Sequence, residues 1–462
     1  MDSEITSKES EQLKSQLKGV LTKPGEPEFE QSNNLWNGYF DPRPRAISLC
    51  KNAGDVQAAL NFAKEKNLKF SVKSGGHDYS GNSVLNGGLV IDLSQMNSVS
   101  INPDKKTAIA GPGVRWGEFD EAAQNHGLAT TGATVSTVGI AGYTLGGGTG
   151  YLARKHGLAL DNLISAEVVT ARGELVQASK NKNPDLFWAI RGGGGNFGIV
   201  TSFEFQMHKT GPQIMAGQIV HPIENAADTL RFYRKFMEKA SDEMACYAFF
   251  LNIPPIDAFP EEYHGKSAIS LVLAHTGDEE TANNELQSIL DFGEPILSAV
   301  QPMPYTAAQK MFDEGMPKGN RWYSKAHMLD TLSDDAIDTI LQYTKKIPGP
   351  FSVAYLEPLG GAINRVKANE TAFPHRDSAY SFHIFAGWST PENDTEPIKW
   401  AKEFYQAMTP HTNGGIYVNL LGHDDEDRIS QTYSSNHNKL IKIKKKRDPE
   451  NLFRSNHNIV PA

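Results

Sequence analysis

The stretch "KSGGHDYSG" (residues 73–81) sets His77 directly after two glycines, with a third at Gly81. Two further glycine-rich stretches follow, "GIAGYTLGGGTG" (139–150) and "RGGGGNFGIVT" (191–201). Glycine lets a backbone come close to a ligand and turn its N–H groups inward. Successive inward N–H groups form an anion nest suited to a pyrophosphate. A single stretch of this kind is an ordinary turn. Three in one half of a chain, separated by strand-like runs, point to a dinucleotide site. No G-x-G-x-x-G follows a strand and opens a helix, and no G-x-x-x-x-G-K-[ST] occurs, so neither a nicotinamide-type Rossmann site nor a P-loop accounts for the glycines. A lone histidine is usually a surface or core residue. At the end of the strand-like "LKFSV" and among these glycines, His77 is a candidate to touch the ligand.

A second candidate set lies in "DSAYSFHIFAGW" (377–388). As a strand it alternates faces, so Tyr380 and Phe382 point one way and Ser381 and His383 the other. Whichever face borders the ligand offers Tyr380 or His383.

The elements around these residues read as α+β. From about 45 to 207, short β-type runs alternate with helical ones. "DVQAALNFAKEKN" (55–67) has helical apolar spacing, and "WGEFDEAAQNHG" (116–127) is a helix ending at Gly127. "AEVVTARGELVQAS" (166–179) turns as a hairpin at Arg172–Gly173. "GIVTSFEFQMH" (198–208) is a strand of alternating polarity. Mixed rather than purely parallel sheets are expected. After Thr210–Pro212 the pattern changes to long helices interleaved with β-type stretches, a sheet with helices on one face. The divisions expected are 1–207, 208–412 and a C-terminal segment 413–462, of which "DPENLFRSNHNIVPA" has neither helix nor strand period.

At 462 residues the chain is too long for one ordinary core. The formal charge of −9 argues against nucleic acid as a partner. The basic run "KLIKIKKKRDP" (439–449) reads as a solvated helix face in preference to a local anion site. Two cysteines, Cys50 and Cys246, exclude a disulfide framework and form no metal spacing. No run approaches the ~20 apolar residues of a membrane span. "MDSEITSKESEQLKSQLKGV" lacks the apolar core of a signal peptide, so a cytoplasmic protein is expected.

Several longer strings are specific in combination: "SVKSGGHDYSG", "VIDLSQM", "AGPGVRWGEF", "GATVSTVGIAGYTLGGGTGYLARKHGLALDNL", "VVTARGEL", "DLFWAIRGGGGNFGIVTSFEF" and "DPENLFRSNHNI". Their order and content resemble the berberine-bridge-enzyme-like family, FAD-linked oxidases with a flavin domain of the vanillyl-alcohol-oxidase type. The resemblance is densest over 45–207 and 433–459. It implies a two-lobed FAD-binding domain with a sheet-and-helix substrate domain. It also implies hydride transfer from a C–OH or C–N bond of a small molecule to flavin N5, with O2 as acceptor and H2O2 as product. The alternative is a secondary-metabolism cyclase or dehydrogenase, in which oxygen is not the acceptor or the flavin is structural.

By the same resemblance, His77 bonds covalently to the flavin 8α-methyl carbon, within the motif Lys73, Ser74, Gly75, Gly76, His77, followed by Asp78 and Tyr79. Lys73 stands where the family carries arginine. The cysteine of a second link is replaced by Val135, in the string Val135, Ser136, Thr137, Val138, Gly139, so a single covalent bond is expected. Val138 holds a position associated with oxygen access. Gly142, Gly146, Gly147, Gly148 and Gly150 bring backbone near the cofactor. Gly198 and Val200 lie near the adenine, and Asn456 and Asn458 return the C-terminus to the flavin domain. For the base, the family's Y-x-N-Y stretch is Tyr417-Val418-Asn419-Leu420 here, which keeps only the first tyrosine. Tyr417, Tyr380, His383 and Tyr143 are therefore the catalytic candidates, and Glu357 in "YLEPLGG" reads as structural.

Overall fold

A computed structural model describes residues 5–462; Met1–Glu4, the start of the polar stretch read above, lie outside the described residues. The N-terminal part begins with a four-stranded mixed sheet ordered Val20–Thr22, Ala46–Leu49, Leu89–Asp92, Phe70–Lys73. The last three strands are parallel. "LVID" at Leu89–Asp92 is buried throughout, as a parallel strand covered on both faces must be. Its cover includes the helix Ala53–Glu65, which starts where the Asn52 side chain accepts the Asp55 N–H and buries Val56, Ala59, Leu60 and Ala63 at helical spacing.

A five-stranded antiparallel sheet follows, ordered Val99–Asn102, Thr107–Ala110, Ile199–Gln206, Leu163–Val169, Leu175–Ser179. The last two strands are the expected hairpin, with Gly173 at φ +80°. The first glycine stretch follows a strand of the first sheet and the other two precede strands of the second, and all three line one cavity.

Residues 213–388 supply a seven-stranded antiparallel sheet. Its order is Leu297–Pro304, Gln213–Pro222, Ser267–His275, Met244–Asn252, Val353–Pro358, Tyr380–Trp388, Arg321–Leu329. Helices Ala226–Met237, Glu279–Leu290, Asp334–Thr344 and Thr395–Met408 bring their apolar stripes to one core cluster with one face of this sheet. Asp278 and Ser333 cap the second and third of these helices. Strand alternation then gives the sheet two different faces. Cys246, Ala248, Phe250, Leu356, Tyr380, Phe382 and Ile384 pack under the helices. Tyr247, Phe249, Tyr355, Glu357, His383 and Phe385 face the glycine loops.

The chain closes back on its first half. In the helix His437–Arg447 the Lys444 ammonium is buried, donating to Asp448 (2.8 Å), Asn196 O (2.8 Å) and Phe453 O (2.9 Å). The basic run is therefore only in part a solvated face: Lys444 ties the helix to the glycine loop, and Lys446 and Arg447 pair with Asp185. Asn196 in that loop accepts the Ile459 N–H (2.9 Å) and donates to His457 O (3.1 Å). No helix among the described residues is long and apolar enough to cross a membrane.

Candidate active site

One cavity of about 1270 Å³ runs from the glycine loops to the open face of the seven-stranded sheet. It exceeds the roughly 300–1,000 Å³ of ordinary ligand pockets, leaving room for a dinucleotide and a second molecule. Its floor is backbone. A Cβ on Gly75 would come within 2.6 Å of Gly139 Cα, so the first two glycine stretches touch main chain to main chain and neither position admits a side chain. Gly198 holds φ +150°, and a Cβ there would meet Val168 at 2.5 Å. Asn456 Oδ1 is buried without a partner in the cavity wall. No lysine or arginine lines the cavity among the described residues. A pyrophosphate here would rest on backbone N–H groups, as the nest reading requires. The cradle, the orphaned amide oxygen and the volume fit an FAD.

Ser74, Gly75, Gly76, His77, Asp78, Tyr79, Val138, Gly139, Gly142, Tyr143, Gly150, Gly198, Val200, His383, Tyr417 and Asn456 all line this cavity. Several other expected contacts do not. Lys73 lies behind its strand in a buried ion pair with Asp92 (2.8 Å), because its position in a parallel strand points it into the layer. Thr137 stands behind His77. Gly146 and Gly147 are small because Asn419 and the Tyr417 ring press on them, and Gly148 because Ala159 and Tyr143 do. Asn458 leaves Oδ1 buried without a partner, away from the cavity wall. Tyr380 points under the helices beside Tyr233 (ring centroids 5.9 Å), which removes it from the substrate side.

His77 is held by neighbours from more than one direction. Its ring stacks on Trp36 (4.7 Å, 20°), and Nε2 lies 3.0 Å from Thr137 Oγ1. Burial, with the nearby positive charges of Arg115 and Lys318, pushes its pKa down to about 3, so the imidazole is neutral at physiological pH. Val135 lines the cavity, whereas Cys50 lies in the core beside the first sheet and Cys246 under the helices of the large sheet. Neither thiol reaches the cavity.

Opposite this floor, His383 is 2% exposed and its two ring nitrogens have no hydrogen-bond partner. Its ring stacks on Tyr355 (4.2 Å, 15°), and Nε2 lies 3.2 Å from Glu357 Oε2, off the hydrogen-bond line. Glu357 Oε1 accepts from Tyr247 OH (3.2 Å). The Tyr417 hydroxyl accepts the Gly148 N–H (2.6 Å) and an Asn419 Nδ2–H (2.8 Å), and burial pushes its pKa well up. Tyr143 donates to Thr149 O and is raised by burial too. Both tyrosines are thus neutral, and each hydroxyl is committed to main chain. Of the candidates that line the cavity, His383 is the one whose polar atoms make no hydrogen bond, and it lies beside a carboxyl group.

Glu357, read above as structural, lines the cavity beside His383. A single acidic side chain in the strand "VAYLEP", on the same face as Tyr355, is the available signal: such a group is seldom buried without a task. Gly194, Gly195 and Asn196 also line the cavity, although the motif reading omits them from the cofactor set.

Residues 44–179 match an FAD binding domain, and residues 416–460 match the domain described as berberine and berberine like. An FAD-linked oxidoreductase of Dictyostelium discoideum is 31% identical over 451 residues, covering 96% of this chain and 95% of its own. The xylooligosaccharide oxidase of Thermothelomyces thermophilus is 27% identical, covering 96% and 92%. The crystal structure of 6-hydroxy-D-nicotine oxidase from Arthrobacter nicotinovorans superposes with a TM-score of 0.87 at 27% identity, over 96% of this chain and 98% of that one. With the flavin cradle built from the strings that the family carries, and with relatives spanning both lobes, the chain belongs to the berberine-bridge-enzyme-like family of FAD-linked oxidoreductases.

Proposed function

We propose that this enzyme is an oxidase carrying one covalent FAD, and that it dehydrogenates a C–O or C–N bond of a small molecule using His383 as the proton acceptor. The observation that carries the reading is the facing arrangement of the cavity. A backbone cradle with the neutral imidazole of His77 forms one wall, and the unpartnered imidazole of His383 the other. FAD, when bound, supplies the two-electron chemistry, taking hydride at N5 from the substrate carbon and passing the electrons to O2, which leaves as H2O2.

The chain's own residues divide the remaining work. His77 must offer a lone pair to the 8α carbon. Thr137 engages Nε2, which leaves Nδ1 for the bond. Val135 and the remote thiols support a single link. Val138, on the cavity wall, limits the space through which oxygen reaches the ring. His383 takes the proton of the substrate O–H or N–H while the hydride departs, with Glu357 orienting the imidazolium that forms. Tyr417 and Asn419 brace the glycine loop from below. The sheet from 213–388 carries the substrate side, so residues 208–412 act as the substrate lobe.

Peroxide release from a panel of alcohols, amines and sugars tests the reading, together with anaerobic bleaching of the yellow protein and recolouring in air. Bleaching without recolouring in air would remove oxygen as acceptor. A protein that no panel compound bleaches, and that dithionite-reduced does not recolour, would remove the oxidase reading altogether.

A further inference from the structure

We propose that Asp313, in the lobe that carries the large sheet, is a positioning residue for the bond between His77 and the flavin. It acts through Ser136 and Thr137. The inference rests on the single-link reading given above and adds to it an element from the opposite lobe.

The course of one segment comes first. Strands Leu297–Pro304 and Arg321–Leu329 are the two edges of the seven-stranded sheet. They are also consecutive strands in the chain, so residues 305–320 must cross the whole sheet to join them. On the way Met311, Phe312, Glu314, Gly315 and Met316 line the cavity. The segment is therefore a strap laid between the open face of the sheet and the glycine floor.

This strap grips both neighbours of the His77 imidazole. On the ring face, the stacked Trp36 donates its Nε1–H to Met316 O (3.2 Å), and Trp36 O accepts the Gly319 N–H (3.0 Å). On the Nε2 side stands Thr137, in a turn closed by the Val138 N–H on Val135 O (3.3 Å). Ser136 and Thr137 are the two central residues of that turn. Asp313 accepts both donors of Ser136, the N–H at 2.8 Å and the hydroxyl at 2.5 Å. The Met316 N–H in turn donates to Asp313 O (3.3 Å), so one turn of the strap ties the two grips together.

The other anchors of the Ser136 turn come from the flavin lobe and engage carbonyls: the Gly117 N–H on Ser136 O and the Trp116 N–H on Val138 O (both 2.9 Å). Among the described residues, Asp313 is the group to which Ser136 donates. Two bonds to one carboxyl group fix both the backbone and the side chain of Ser136. The rigid peptide that follows passes this placement to Thr137, and so to the 3.0 Å contact at Nε2.

The chemistry needs such control. An imidazole nitrogen must aim its lone pair at the 8α carbon. Overall, one 8α C–H bond and one imidazole N–H bond give way to one C–N bond. Both hydrogens leave as protons. The two electrons, accepted first by the flavin, end on O2, which takes up two protons and leaves as H2O2. A neutral imidazole holds the lone pair and the N–H at once, and burial keeps His77 in that form. In a step of this kind a misplacement of about 1 Å costs on the order of 10²-fold in rate.

The test uses the full chain, made free of flavin in a riboflavin-starved host and then supplied with FAD in air. Covalent incorporation is followed as yellow colour that stays with acid-precipitated protein, at several FAD concentrations. Noncovalent affinity is read from the early quenching of FAD fluorescence. Asp313→Ala is expected to lower the saturating rate of incorporation about ten- to hundredfold, with FAD affinity within about threefold of the parent's. Asp313→Asn keeps the shape, an acceptor for the Ser136 N–H and a partner for its hydroxyl. It is expected to incorporate within about threefold of the parent rate. Ser136→Ala deletes one arm of the grip without touching the strap and is expected to be slower than the parent by about threefold or more. It decides the matter if Asp313→Ala does not fold. The inference is overturned by a parent rate in either alanine variant, by a loss in Asp313→Ala that excess FAD repairs, or by Asp313→Asn being as slow as Asp313→Ala. Those outcomes leave acid-stable flavin on the parent and the single-link reading intact. A parent that forms no acid-stable adduct at His77 overturns both.

Discussion

At the scale of single residues, the imidazole of His77 is held neutral by its environment, as the proposed covalent link needs. Its pKa is pushed down to about 3 by burial and by two neighbouring cations. Replacing it leaves the backbone cradle intact, so His77→Ala is expected to bind FAD and to lose it on acid precipitation, whereas the parent precipitate stays yellow. A cysteinyl adduct in the parent's mass spectrum, or none at all, would overturn the single-link assignment. Val138 tests a second role. One added methylene in a close-packed wall displaces its neighbours, so Val138→Leu should slow reoxidation of reduced flavin by air much more than reduction by substrate. Stopped-flow traces of the two half-reactions separate the effects, and equal reoxidation rates would clear Val138 of gating.

At the scale of elements, the strand Tyr380–Trp388 decides which side chain meets the cavity. Its even-numbered residues are buried under four helices, and His383 and Phe385 among the odd-numbered ones line the cavity. His383→Ala is therefore expected to lower the rate of anaerobic flavin reduction by roughly 10²–10⁴. Tyr380→Phe, three residues away in the same strand, should reduce near the parent rate. Covalent flavin is retained in both. Rates in the reverse order would mean that the alternation has been assigned to the wrong face. How much of this was legible in the sequence is clear from the same strand: its existence and its two-fold alternation were, its orientation was not. Periodicity says which residues share a face; the helices that cover one face choose which is which.

At the scale of the whole molecule, the seam between the lobes contains a titratable strut. Asp120, in the helix Trp116–Gln124, is 1% exposed, accepts Gln309 Nε2 (3.0 Å) across the seam, and leaves Oδ1 without a partner. Burial pushes its pKa up to about 7. The folded protein thus holds this proton between about pH 4 and 7, where the unfolded chain releases it. Stability contributed by the neutral carboxyl is full below the unfolded value and falls as pH rises towards 7, by at most about 1.4 kcal/mol per pH unit. Asp120→Asn should remove that slope: its melting temperature at pH 8 should fall less, relative to pH 5, than the parent's does. A parent and variant with parallel profiles would show that Asp120 does not titrate in this window. His327 acts in the opposite sense. Its pKa is pushed down to about 4 by burial, so its contribution is lost as pH falls below about 6.5.

The cofactor floor was legible because its determinants are local. Glycines at short, regular separations, a histidine at the end of a strand, and strings such as "GIAGYTLGGGTG" and "RGGGGNFGIVT" carry their function in the backbone they permit, so their meaning survives without knowledge of the fold. Lys73, Gly146, Gly147 and Gly148 show the limit even there, since a residue inside a cofactor motif can serve the layer behind it. The opposite wall of the cavity was not legible. Glu357 and His383 are 26 residues apart in sequence. They meet because antiparallel pairing sets Tyr355 against His383 and brings both side chains out on one face. Which face that is depends on helices from 226–237, 279–290, 334–344 and 395–408 burying the other. Local backbone chemistry therefore marked the glycine floor of the cavity from sequence alone. Only the packing of a two-faced sheet decided that Glu357 and His383 look into it.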